Sequence, residues 1–308
     1  MTTACYRRPV AKGLSAAGGR GSLPACLSAY RFGAGDPTTR LANGEFWRAS
    51  FTPAGPGTVR ITWNGAGVDA EAFGDGKDWM LQQVTAMAGG LDPGFEFVDA
   101  HPAVLHAQRN HPDVRFGASR MFFHELLPTI LGQRITAGEA IRQWHQLCRR
   151  LGEPAPGPAT GLLLPPSPSA IAGRPAWWFH PLGIEAKRAE ALRTVAKHAA
   201  KLWAWARLPT AEAAAKLALL PGVGQWTIGS VMASAMGDPD AVAVGDFHLK
   251  YLVSYSLAGE PRGTDDRMLE LLAPYAGQRG RVVRLLQLDG RPPPKFGPRH
   301  RILPMAQW

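Results

Sequence analysis

Residues 220–227 read LPGVGQWT, and the fold of the chain turns on this stretch. A short helical pattern over about 210–218 precedes it, and the small-residue run GSVMASAMG (229–237) continues it as a second helix. Two glycines one residue apart allow backbone angles and close approaches that a Cβ blocks. Val223 between them packs inward. The amides of Gly222, Gly224, Gln225 and Thr227 then face outward at the start of the second helix, where free N–H groups and the positive helix end suit a phosphate. An ordinary helical hairpin closed by a glycine has the same local pattern, so the turn alone leaves both readings open.

Asp246 lies 22 residues after Gly224. A helix of about a dozen residues and the return loop DPDAVAVG bring a new helix, starting at Asp246, back beside the hairpin. An Asp at a helix start is also a routine N-cap, worth about 1 kcal/mol. Next to a bound sugar–phosphate, the same carboxylate stabilises positive charge developing on a sugar as an N-glycosidic bond breaks.

Working outward, Val59, Ile61 and Trp63 alternate with Arg60 and Thr62, the period-2 pattern of a half-buried strand. Phe46, Trp47 and Phe51 mark a partner strand, TPAGPGT (52–58) reads as the turn between them, and a further strand covers 68–73. The period then changes. Trp79, Met80, Gln83, Val84 and Met87 share a helical face that ends at Gly89 and Gly90. Beyond residue 100 nearly everything reads as helix: 122–131, with Pro128 expected to kink or restart it; a second around Ile141, Trp144, His145 and Cys148; and one from about 188 to 203 with Arg188, Arg193, Lys197, His198 and Lys201 on its polar face. Thr264 is a candidate N-cap, and 281–286 carries the last helix. The class is α+β: a small antiparallel-sheet N-terminal domain (26–99) followed by an all-α body (100–290) containing the hairpin 208–237. Residues 1–25 read as a disordered basic extension and 291–308 as a basic, Pro-rich tail.

LPGVGQWT together with VGDFHLKYL (244–252) resembles the helix-hairpin-helix (HhH-GPD) DNA glycosylases, and by pattern the bacterial 3-methyladenine DNA glycosylase II type. Three further stretches carry the resemblance: 39–63 to the N-terminal sheet, LLPTILGQRIT (126–136) to the helix end before the DNA wedge, and 180–197 to the helix before the hairpin. The resemblance implies that Asp246 is the catalytic carboxylate and that Gly222 and Gly224 are the phosphate-binding glycines. Gln133 and Arg134 fall at the wedge that enters the duplex, Arg134 standing where an apolar residue is usual, either as a wedge or as a phosphate contact. Trp226 occupies the position of the Schiff-base lysine of bifunctional members, which implies a monofunctional enzyme. The base pocket falls to Trp226, Ser230 and Gln278, with Tyr275 near the last. That is a lining poorer in rings than alkylpurine excision favours and better suited to a neutral lesion such as hypoxanthine.

Composition bounds the same reading. The 308 residues are 45% hydrophobic and 19% charged, which excludes wholesale disorder. Lys and Arg total 34 against 24 acidic residues, a net +10, and 26 of the 34 are Arg. The excess suits a polyanion, although Ala-, Gly- and Pro-rich sequences also gather Arg through codon bias. Arg279, Arg281, Arg284, Arg299, His300 and Arg301 are candidates for following a duplex backbone. No run approaches the roughly 18 apolar residues of a membrane span, and the N-terminus has no secretory h-region. Cys5, Cys26 and Cys148 fit a reducing compartment, and no cysteine follows Cys148, so the four-cysteine cluster of the endonuclease III branch has no ligands. His101, His106 and His111 recur every five residues, which matches no metal-binding face. The expectation is a monomeric, cytoplasmic, nucleoid-associated DNA glycosylase that flips out and hydrolytically excises an alkylated base, needing no cofactor and no metal. Its partner is double-stranded DNA containing a damaged base. The alternatives are a glycosylase for a deaminated base and a non-catalytic binder of DNA structure.

Overall fold

The computed structural model describes residues 6–9, 22–64 and 67–294. Strand β1 (Tyr6–Pro9) is followed by helix α1 (Ser22–Ser28) and then by β2 (Thr39–Ala42), β3 (Glu45–Thr52), β4 (Gly55–Asn64) and β5 (Gly67–Phe73). All pairings are antiparallel, in the order β1-β5-β4-β3-β2. The expected N-terminal extension is therefore partly ordered: residues 6–9 pair with β5, and 22–25 belong to α1. Residues 1–5, 10–21, 65–66 and 295–308 lie outside the described residues, and Arg299, His300 and Arg301 with them.

The alternation in β4 does what its period requires. Val59 and Ile61 are fully buried against Phe46, Ala70, Ala72 and helix α2 (Lys77–Met87), which contributes Met80, Val84 and Met87. The turn before β4 is shorter than its Pro/Gly content suggests. Only Pro53 and Ala54 connect the strands, because the Thr52 hydroxyl accepts from the Ala54 amide (3.1 Å) and donates to Gly55 O (2.8 Å), closing the loop at once.

The body follows as α3 (Pro102–Asn110), α4 (Phe122–Leu131), α5 (Ala137–Leu151), the short α6 (Pro168–Ala172), a 3-10 turn over Ala176–Leu182, α7 (Ala186–Lys197), α8 (Ala199–Trp205), α9 (Thr210–Leu217) and α10 (Gln225–Val231). A widened π-helical turn, Met232–Met236, extends α10, and α11 (Leu249–Ala258), α12 (Asp265–Leu272) and α13 (Arg279–Asp289) complete the chain. Helix α4 runs through Pro128 without a restart, held by buried side chains on every side. Helix α5 starts where Thr136 caps the Glu139 amide, the Thr-x-x-Glu pattern of a capping box. The helix expected over 188–203 divides at His198 into α7 and α8. No described helix is long and apolar enough to cross a membrane.

Sheet and body meet through buried polar side chains. Arg48 on β3 is 1% exposed; it donates to Glu125 on α4 (2.6 Å) and to Tyr30 O (2.6 Å). The Ser119 and Ser234 hydroxyls also donate to Glu125 (3.0 and 3.2 Å). Beside it, the His124 ring bonds Ser50 (3.0 Å) and Thr38 (3.2 Å). Asp36 accepts from the Thr38 hydroxyl (2.8 Å) and from the Trp144 indole (3.2 Å). Burial pushes the Glu125 carboxyl upward, opposed by the Arg48 guanidinium and the two hydroxyls.

Two outcomes follow from this interface. Arg48→Met strands Glu125 in the interior and should lower unfolding free energy by about 3–5 kcal/mol in urea titrations. Burial, and then the nearby Arg48 charge, hold the His124 pKa well below 6.5. As pH falls through that ordinary value the unfolded chain takes up a proton that the folded chain refuses, so stability present above about pH 6.5 is lost on acidification, at up to about 1.4 kcal/mol per pH unit. A His124→Gln protein should show a shallower loss between about pH 6.5 and 5 than the parent.

Candidate active site

The hairpin is assembled by what its glycines lack. Gly222 has φ +85, and a Cβ there would sit 2.6 Å from the Ala191 methyl on α7, so the turn closes against that helix only without a side chain. Val223 between the glycines is buried, with its amide on Leu220 O (3.0 Å). Gly224 has an ordinary φ of −92, and nothing lies within 4 Å of where its Cβ would be, so its backbone lies bare at the surface. Ile228 N–H is the amide that closes on Gly224 O (2.9 Å), which leaves the amides of residues 225–227 at the helix start without intrahelical carbonyls. Gln225 is exposed. Thr227 is 1% exposed, and its hydroxyl accepts from Gln133 Nε2 (2.9 Å), so its side chain is spent inside the protein and only its amide remains for an anion.

Gln133 departs from its expected role in the same way. Its amide donates both to Thr227 and to Gly222 O (2.9 Å), so it braces the hairpin against the end of α4 instead of projecting away from it. Arg134 does project: it is exposed and sits in the left-handed region at φ +59, just past the end of α4. The carbonyl ending α4, Leu131 O, accepts from Arg188 (2.8 Å), which also bonds Gln143 (2.7 Å). The solvated face expected on α7 thus loses Arg188, which is 2% exposed.

Two further glycines place Asp246. A Cβ on Gly229 of α10 would collide with Val242 O, and one on Gly280 of α13 would lie 2.5 Å from Ala241 O. The loop over 239–243 is clamped between these bare helix faces. Asp240 accepts from the Arg279 amide (2.9 Å) and guanidinium (2.8 Å), and Pro239 O accepts from the Arg281 amide (2.8 Å). Gly245 then turns at φ +94, with its amide on Asp265 (3.0 Å).

The Asp246 carboxylate emerges half-buried. One oxygen accepts from the His248 and Leu249 amides (2.8 and 3.0 Å); the other accepts from Trp226 Nε1 (3.2 Å). Helix α11 accordingly begins at Leu249, three residues later than expected, with Asp246 capping it from outside. The carboxylate also lines a cavity of about 790 Å³ walled by α10, α13 and the clamped loop.

The other expected pocket residues divide. Ser230 lines the cavity, its hydroxyl donating to Trp226 O (2.8 Å). Trp226 is not in the lining; its indole steers Asp246 and lies over Gly132, where a Cβ would come within 3.3 Å of the ring. Gln278 is not in the lining either and accepts from Arg281 Nε (2.7 Å), while the Tyr275 hydroxyl accepts from the His101 amide (3.1 Å). The expected basic track on α13 is largely structural: Arg279 pairs with Asp240, and Arg281 is buried in a two-pronged bond to Asp92 (2.7 and 2.8 Å). Arg284, grouped with them in the sequence, faces the cavity. The signal for it was helical spacing: Gly280, Val283, Arg284 and Gln287 share a face, and a glycine on that face marks a close approach. Among the described residues no group of three His, Cys, Asp or Glu side chains stands together to hold a metal.

No protein-family model matches the sequence, and no curated protein matches it. Solved structures do. A 3-methyladenine DNA-glycosylase from Archaeoglobus fulgidus superposes with a TM-score of 0.73 at 17% identity, over 92% of this chain and 98% of that one. The apo-form of an 8-oxoguanine glycosylase/lyase from Clostridium acetobutylicum gives 0.58 at 15% identity, over 86% and 92%. The same glycosylase/lyase, in complex with double-stranded DNA containing cytosine opposite 8-oxoG, also gives 0.58. The chain has the fold of the helix-hairpin-helix DNA glycosylases.

The two hairpin glycines should respond differently to a methyl group. Gly222→Ala meets both a left-handed φ and the Ala191 methyl and should lose about 1–3 kcal/mol of stability. Gly224→Ala should stay within about 0.5 kcal/mol of the parent. Urea unfolding of the two variants side by side measures the contrast.

Proposed function

We propose that this protein is a monofunctional DNA glycosylase that extrudes a damaged base from the duplex and hydrolyses its N-glycosidic bond. The observation that carries the reading is Asp246: a carboxylate held by three donors at the wall of a cavity of about 790 Å³, bonded to Trp226 of the hairpin helix, whose first amides have no intrahelical carbonyls. The hairpin amides take a phosphate beside the lesion and Arg134 meets the duplex, either filling the gap left by the extruded base or gripping phosphate.

The chemistry asked of Asp246 is electrostatic. As the C1′–N bond breaks, its electron pair leaves on the base nitrogen and positive charge grows on the deoxyribose. A fixed anion about 4 Å away lowers that state by about 4 kcal/mol at an effective dielectric near 20, before desolvation. Water then bonds to C1′ from the side the carboxylate commands, and its proton passes to the departing base nitrogen, or to solvent where alkylation had already charged the base, leaving a neutral free base and an abasic sugar. An amine route that forms an imine with the sugar has no support here. The hairpin position open to such a lysine is Trp226, and Lys250, the nearest lysine along the chain to Asp246, is ion-paired to Asp265 (3.2 Å).

Asp246→Asn should cut base release from a mixed panel of alkylated, deaminated and oxidised duplexes by about a thousandfold, the equivalent of 4 kcal/mol. It should leave duplex affinity within about threefold, and binding of both proteins should weaken steeply between about 50 and 200 mM salt. Unchanged release in the variant would remove Asp246 from the chemistry, and a parent that binds duplex and releases no base would replace this reading with that of a non-catalytic DNA-structure binder.

A further inference from the structure

We infer that Gly132 and Trp226 are positioning residues, through which the turn that ends α4 sets the Asp246 carboxylate for the chemistry. This rests on the glycosylase reading, which makes Asp246 the reacting anion, and it adds to that reaction a glycine that no substrate touches.

Gly132 is a glycine that its own backbone does not require. Its φ of −73 and ψ of −8 are right-handed helical angles, open to any L-residue. Alanine at a compatible angle stabilises a fold by restricting the unfolded chain. What excludes a side chain is a neighbour from another element. A Cβ on Gly132 would stand 3.3 Å from Cη2 of Trp226, at the far edge of the indole. The same indole donates its Nε1–H to Asp246 Oδ2 (3.2 Å). At the root of the side chain, Trp226 Cβ lies 3.9 Å from where a Cβ on Gly245 would be, and Gly245 turns the chain into Asp246 at φ +94. Trp226 therefore fills the gap between two turns, one after α4 and one before the carboxylate.

The turn after α4 is not free to yield. Gln133 ties it to the hairpin by two bonds, to Gly222 O and to the Thr227 hydroxyl (both 2.9 Å). A side chain on Gly132 must therefore move the ring, and a ring that moves carries its N–H with it. The carboxylate is sensitive to that bond. The His248 and Leu249 amides both meet Oδ1 (2.8 and 3.0 Å), which fixes one oxygen and lets the group swing about it. Among the described residues, the Trp226 N–H is the donor that places Oδ2. The indole does so from outside the lining of the cavity that Asp246 walls.

Single-turnover base release at saturating enzyme tests the assignment, on whichever of the alkylated, deaminated or oxidised duplexes the parent acts on fastest. Affinity for a duplex with a tetrahydrofuran abasic analogue is measured beside it. Trp226→Phe keeps a ring and loses the N–H. It should slow release by about ten- to a hundredfold, as loss of a bond to a charged group does, and hold the abasic duplex within about threefold of the parent. Gly132→Ala should slow release by about three- to tenfold, from a displacement of a few tenths of an ångström, with affinity and urea midpoint no lower than the parent's. In a Trp226→Phe background, Gly132→Ala should cost nothing further, because both act through one bond. A Trp226→Phe protein that releases base at the parent's rate overturns the assignment and returns the ring to stacking or packing. So does a Gly132→Ala protein that unfolds at lower urea but releases base normally, or full additivity of the two substitutions. In each of these cases an inactive Asp246→Asn leaves the glycosylase reading standing. A parent that releases no base overturns both.

Discussion

Glu125 is the buried carboxylate on which the architecture converges. Its two oxygens take Arg48 from β3, Ser119 from the segment before α4, and Ser234 from the π-helical turn after α10. Sheet, central helix and hairpin helix are thereby tied to one side chain in the interior. A buried ion pair is no large source of net stability, since desolvating both charges costs about as much as their attraction returns. Its effect is on geometry. An apolar contact tolerates sliding, whereas a buried carboxyl group bonded on both oxygens is held to a narrow range of arrangements, and the helix that carries it inherits them. Helix α4 leads from Glu125 to Leu131, Gln133 and Arg134, so the position of its exposed end is set about two turns back, at the sheet.

From there the site is built by close approach. Gly132, Gly222, Gly229 and Gly280 each stand where a Cβ would press on a neighbour: the Trp226 ring, the Ala191 methyl, or the carbonyls of the 239–243 loop. Backbones packed this tightly carry the hairpin and Asp246 as one unit. Trp226 closes that unit, since its ring rests on Gly132 and its N–H holds the carboxylate. A residue expected in the base pocket instead orients the Asp246 carboxylate.

The arginines divide by partner, not by position along the chain. Arg48, Arg188 and Arg281 are buried and bonded to carboxylates, side-chain amides or carbonyls, and Arg279 is spent on the loop that delivers Asp246. A net charge of +10 therefore says little about where a polyanion would lie. Exposed Arg134 and cavity-facing Arg284 differ from these four in that, among the described residues, no carboxylate or carbonyl is bonded to the guanidinium.

The sequence by itself determined what local periodicity and backbone chemistry control. It specified the strand alternation at Val59 and Ile61, the helical faces of α2 and α4, the hairpin between α9 and α10, and Asp246 as the polar group that the return loop brings back. Only tertiary structure decided which side chains are free. Gln133 and Thr227 satisfy each other, Gln278 serves Arg281, Arg188 turns inward, and residues 6–9 join a sheet edge. The physical reason is that a hydrogen-bonding side chain reads the same in sequence whether its partner is a ligand or another residue. That partner, for Arg281 as for Gln133, lies on an element distant in the chain, and it is fixed only when the helices have packed.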